Sequence, residues 1–273
     1  DPQNNPQCTI RFEEPISQLE LYTQRGDAHT FGWNGEEQST DIFFAQLGGH
    51  VLCGLFSPTA DVNRCGPLSV SIPLAPHLKA NWESVRPWAV DIIPKVLNEA
   101  CVKYDRQILA AMMQDLVGSC FFSETDLDHK SISDKINTSS DDIKKRWDDV
   151  APRFVAMVGS DENPLSTLVM ALIAAGHGKR LLVVTDGGTS DNSIVEEPFR
   201  ICGGDEYVVI RWRRDHYEPL VPIAVAATVA KRIGMEVSPF FLSCINSALE
   251  QPLNSERSPL VSVAHGNPPA RNN

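Results

Sequence analysis

The chain has 273 residues, of which 24 are Lys or Arg and 35 are Asp or Glu, for a formal net charge of −11. That length buries a core as one large domain or two small ones, and 42% hydrophobic with 22% charged residues is ordinary for a soluble globular protein. The acidic balance argues against nucleic acid, which needs a basic footprint, and suits a cationic partner; no apolar run approaches the ~20 residues that span a bilayer.

Residues 1–7 are rich in Pro, Asn and Gln and read as disordered. Residues 8–75 read as a β-rich N-terminal portion with strands over 9–12, 19–22, 42–45, 50–56 and 68–72. Turn signals divide them at Arg25-Gly26-Asp27, Asn34-Gly35, Gly48-Gly49 and Cys65-Gly66-Pro67. The pattern then changes. Val85, Trp88, Ile92, Val96, Ala100 and Cys101 recur at helical spacing, with Pro94 as a kink. Asp105 caps a helix whose core stripe is Ile108, Leu109, Met112, Met113 and Leu116, ending just before Gly118. A surface segment over 123–142 precedes a helix from Asp141 through Ile143, Trp147, Val150 and Phe154, interrupted at Pro152.

Asn163 and Pro164 give the next helix its N-cap and first position, ahead of Leu165, Leu168, Val169, Leu172 and Ile173. Gly176 or Gly178 stops it, and 180–185 is a buried strand followed by the turn Asp186-Gly187-Gly188. Residues 197–202 and 206–212, joined by Gly203-Gly204, form a hairpin that ends at His216. A further helix covers 222–233, and 251–273 is a Pro/Ser/Asn-rich linker.

Seven cysteines (Cys8, Cys53, Cys65, Cys101, Cys120, Cys202 and Cys244) are odd in number and widely scattered. They show no metal-ligand spacing, so reduced thiols in a cytoplasmic compartment are expected, with no metal and no cofactor. Among them Cys120, in Gly118-Ser119-Cys120-Phe121-Phe122, follows a helix and opens a polar segment. A cysteine opening a helix feels the positive end of its dipole, and a neighbouring imidazolium favours the thiolate further. The strand ending in His216 supplies an imidazole, and Glu218, two residues on, lies on the same side of an extended backbone. Nucleophile, base and orienter are then Cys120, His216 and Glu218. Taken alone, Cys120 reads as a packing cysteine and His216 as a surface histidine near a salt bridge.

The two motifs and their order resemble the ovarian-tumour (OTU) family of cysteine proteases, mostly deubiquitinases, over about residues 100–225. The family motifs run Asp-Gly-Asn-Cys-Phe/Leu-Phe and His-Tyr-Asn/Asp. The resemblance implies an α+β, papain-type fold, with helices on a small central sheet over 76–250 and the β-rich part as an N-terminal extension. It implies a thioester on Cys120 formed with the terminal glycine of ubiquitin or a ubiquitin-like protein, whose basic tail suits the acidic chain. Val117, Gly118 and Ser119 would form the oxyanion loop, and Trp212 and Tyr217 would wall a glycine channel. The chain itself would be one domain of a larger polyprotein.

Val117 stands where the family has Asp, Ser123-Glu124 where it has Arg/His-Ser/Ala, and Glu218 where it has Asn/Asp. An impaired ubiquitin-binding module, or a non-enzymatic assembly protein, is therefore the alternative expectation. Cys65 is a rival nucleophile after Asp61-Val62-Asn63-Arg64, but Gly66-Pro67 is not expected to start a helix at once; Cys53 reads as core. Asp215 would face away from an orienting position beside His216.

Overall fold

A computed structural model of the chain describes residues 7–31, 37–55, 65–78, 81–118, 139–160, 165–185, 193–201, 203–213, 216–235 and 237–250. The architecture is mixed α and β. The strands are β1 (Ile10–Arg11), β2 (Leu21–Phe31), β3 (Glu37–Leu47), β4 (His50–Gly54), β5 (Arg180–Thr185), β6 (Ile194–Glu196), β7 (Glu206–Arg213) and β8 (His216–Pro222). They make one eight-stranded sheet in the order β2-β3-β4-β8-β7-β5-β6, with β1 paired to the start of β7. Among the described residues only β5 and β7 run parallel in it; every other pairing is antiparallel. The strands of 8–75 thus form no sheet of their own, because β4 pairs with β8.

Several elements differ from the expectation, each for a local reason. The run 68–72, expected as a strand, lies inside helix α1 (Cys65–Leu74), where Cys65 to Pro73 are all buried. A helix apolar all round has no amphipathic stripe, so periodicity cannot tell it from a buried strand. Pro67 sits in its first turn, where the missing N–H costs no helical bond.

The expected hairpin of 197–202 with 206–212 is absent: β6 stops at Glu196 and pairs with β5, while β7 lies between β5 and β8. His216 does not end a strand; it starts β8, which returns antiparallel along β7 with Arg213 opposite His216 and Arg211 opposite Glu218. Arg25-Gly26-Asp27 is inside β2, not a turn, whereas Gly48 and Gly49 turn the chain at positive φ (51° and 79°).

Helix α2 (Trp82–Leu97) runs on through Pro87 and Pro94 and ends before Ala100 and Cys101. Helix α3 (Arg106–Gly118) is capped by Asp105 as expected, its carboxylate accepting from the Gln107 and Ile108 N–H groups at 2.8 and 3.0 Å. Helix α4 (Ser140–Gly159) is not interrupted at Pro152. Helix α5 (Thr167–Gly176) is capped by Ser166, which accepts from the Val169 N–H, and not by Asn163, which lies outside the described residues together with Pro164. Helices α6 (Ile223–Arg232) and α7 (Pro239–Glu250) follow β8.

The larger core joins the helices to one sheet face through Phe44, Cys53, Val208, Ile210 and Val221, with α1 and α5 at its centre. A smaller core on the other face gathers Phe43, Leu52, Val209 and Leu220 under Ile10 and Leu19 of the N-terminal segment. Close packing shows where α5 crosses α2: a β-carbon on Gly176 would overlap Cγ2 of Ile92 and reach 3.2 Å from Cγ2 of Val96. Overpacking of this kind costs about 1–3 kcal/mol, more than the ~1 kcal/mol that Ala gains over Gly in a helix. Gly176→Ala is therefore expected to lower Tm by several degrees in a thermal melt, roughly 2–4 °C per kcal/mol. An unchanged or raised Tm would show that α2 yields there.

Candidate functional site

The sequence-selected residues separate into two groups. Val117 and Gly118 occupy the last turn of α3, with Val117 packed against the main core. Ser119 and Cys120 lie outside the described residues, so the expected pairing of Cys120 with His216 does too. His216, Tyr217, Glu218 and Trp212 lie side by side on β8 and β7.

Besides Cys53, which pairs with Val221, the strand meets Cys65. Cys65 is the first residue of α1 and is 1% exposed, and its Sγ accepts the Tyr217 backbone N–H at 3.3 Å. The expectation that Gly66-Pro67 starts no helix is corrected here. Glycine at 66 also lets α1 approach closely, since a β-carbon there would meet the Met170 Sδ at 2.7 Å and the Tyr217 ring at 3.4 Å. The placement follows from the sheet. β4 pairs with β8 only through Leu52–Pro222, Cys53–Val221 and Gly54–Leu220, and the Leu55 N–H to the Pro219 carbonyl (2.9 Å) extends that edge by one bond. Beyond it, α1 delivers the sulfur to the Tyr217 N–H.

Alternation assigns the faces. Tyr217 and Trp212 face α1, while His216 and Glu218 share the face of Arg211, as the spacing of His216 and Glu218 requires. Glu218 is not held by the imidazole: its Oε2 accepts from Arg211 Nη1 at 3.0 Å. Arg211 is 1% exposed, and its guanidinium stacks 3.9 Å above the Phe43 ring. Cys53 is core as expected, its thiol driven far up by burial. Cys8, Cys53, Cys65 and Cys244 form no disulfide, whereas Cys101 is disulfide-bonded, against the expectation of reduced cysteines throughout.

Burial lowers the pKa of His216 below its ordinary 6.5; the Glu218 charge works against this and the Arg211 charge adds to it. His177, packed against Trp88, is lowered by burial and then by Lys179. Both imidazoles bind a proton less readily in the folded chain than in the unfolded one. Below pH 6.5 the unfolded chain takes up protons first, so stability is full above that value and falls as acid is added. Melts at about pH 7.5 and about pH 5.5 should show the lower Tm at the lower pH; a Tm independent of pH across that window would contradict both placements.

Among the described residues no group of three or more His, Cys, Asp or Glu side chains is placed to hold a metal ion, and no helix is long and apolar enough to cross a membrane. In the sequence the signal for Cys65 is the Asp-Val-Asn-Arg-Cys stretch that precedes Gly66-Pro67. Comparison with protein-family models finds none that matches the chain, and no curated protein matches it either.

Proposed function

We propose that the chain is a thiol hydrolase of OTU-like, papain-type architecture, with Cys65 in the role the sequence had given to Cys120. The observation that carries this reading is the hydrogen bond from the Tyr217 N–H to Cys65 Sγ at the mouth of a buried helix. That bond fixes the sulfur against the strand that carries His216. The 3.3 Å contact, plus one backbone step, puts the sulfur within about 6 Å of the His216 α-carbon.

His216, kept neutral by its surroundings, takes the Cys65 proton. The thiolate adds to the carbonyl carbon of a terminal glycine, the C–N bond breaks as His216 returns the proton to the leaving amine, and water cleaves the thioester. Glu218 favours the imidazolium through its field, the direction its charge gives His216. The substrate class, the basic tail of ubiquitin or a ubiquitin-like protein, suits a chain of net charge −11. No cofactor enters this chemistry.

A sulfur that merely satisfies the sheet edge would make the same contact without reacting. Incubation with ubiquitin bearing a C-terminal vinyl sulfone, followed by peptide mapping, separates the two. The expected product is a single adduct on Cys65. No adduct, or an adduct on another cysteine, overturns the assignment.

A further inference from the structure

Residue 217 is gripped from two helices at once. Its N–H reaches Cys65 Sγ at 3.3 Å, and its carbonyl accepts from Ser69 Oγ at 2.9 Å. Cys65 and Ser69 are four apart on α1 and so lie one above the other on one helix face. Ser69 is fully buried, where a hydroxyl is kept only when bonded. The phenol of Tyr217 shares a hydrogen bond with Thr167 Oγ1 at 3.1 Å, and Thr167 is the first residue of α5. That helix start is tied in turn to α3, because the Ser166 hydroxyl donates to the Asp115 carboxylate. The ring lies over Gly66.

We propose that Tyr217 is the positioning residue of the thiol site: its backbone and its phenol lock the strand end that carries His216 to α1, which carries Cys65, and to α5. The inference rests on the reading of Cys65 as the nucleophile. It also moves Tyr217 from the expected channel wall to the frame of the site. The mechanical need is plain. His216 is the first residue of β8, and strand ends open most easily. Proton transfer between sulfur and imidazole demands hydrogen-bond reach, and a displacement of about 1 Å can cost about 10²-fold. A tie at the very next residue limits that displacement.

Tyr217→Phe keeps the ring and removes the hydroxyl, and Thr167→Val removes its partner at constant volume. With the ubiquitin vinyl sulfone probe, each variant is expected to lower the maximal labelling rate of Cys65 by about 10- to 100-fold. The half-saturating probe concentration and the final labelled fraction should stay as in the wild type. The double variant should be no slower than either single one, since both delete the same bond. A merely structural role would instead reduce the labelled fraction, by unfolding, and leave the rate constant of the folded remainder unchanged; that result, or wild-type rates in both variants, overturns the inference. Failure of the underlying reading looks different, because wild-type Cys65 would then take up no probe at all.

Discussion

Cys65→Ala is expected to abolish probe labelling and to lower ubiquitin-substrate turnover by at least about 10⁴-fold, because the proposed covalent intermediate forms on that sulfur. Cys65→Ser should be nearly as inactive, a hydroxyl being far less acidic than a thiol and so poorly activated by one neutral imidazole. Folding should change little in the serine variant, whose hydroxyl still accepts the Tyr217 N–H. The alanine variant leaves that N–H without its sulfur acceptor, at a cost of about 1–3 kcal/mol. Activity and Tm therefore separate the two roles of Cys65. Cys120→Ala should retain labelling. If it loses the adduct while Cys65→Ala keeps it, the nucleophile is the cysteine first indicated by the sequence.

The contrast between these cysteines shows what was legible in the chain. The motif His216-Tyr217-Glu218 drew notice because a strand-borne imidazole with an acid two residues on is local information. Its partner depends on pairing across 152 positions, which no local pattern carries. Cys65 was set aside because Gly66-Pro67 reads as a turn, yet a helix's first turn has no use for the N–H that proline lacks. The same apolar run, Leu68 to Ile72, passed for a strand because its burial on every side removes the period that marks a helix.

A helix with one wet face is legible in its sequence. Asp105 and the stripe Ile108, Leu109, Met112, Met113 and Leu116 mark α3 correctly, although the helix extends through Gly118. β8 was hidden by Pro219 and Pro222, since proline argues against a central strand. Here the β8 edge is only partly covered by β4, and the Pro219 carbonyl still accepts from Leu55. The Arg211–Glu218 pair was equally invisible: strand register decides it, and sequence alone had assigned Glu218 to the imidazole.

That pair should dominate the stability of the site. Arg211→Ala removes a guanidinium that is 1% exposed, stacked on Phe43 and bonded to Glu218, which is itself only 15% exposed. The acid is left largely buried without this partner, and breaking a buried pair from one side costs about 3–5 kcal/mol. At roughly 2–4 °C per kcal/mol for a chain of this size, Tm should fall by about 10 °C. Arg211→Met combined with Glu218→Gln removes both charges and keeps the volume, so it should recover most of the loss. If the double variant melts as low as Arg211→Ala, the cost lies in packing against Phe43 and not in the stranded charge.

The same substitution reports on His216. The Arg211 charge lowers the proton affinity of the imidazole and the Glu218 charge raises it, so removing the arginine leaves the acid unopposed. The acid limb of the Cys65 labelling rate should then move to higher pH in Arg211→Ala and back in the double variant, because a neutral imidazole is the form that accepts the thiol proton. An acid limb that stays fixed in both would place His216 beyond the influence of the pair, and would remove the electrostatic part of its assignment as the base.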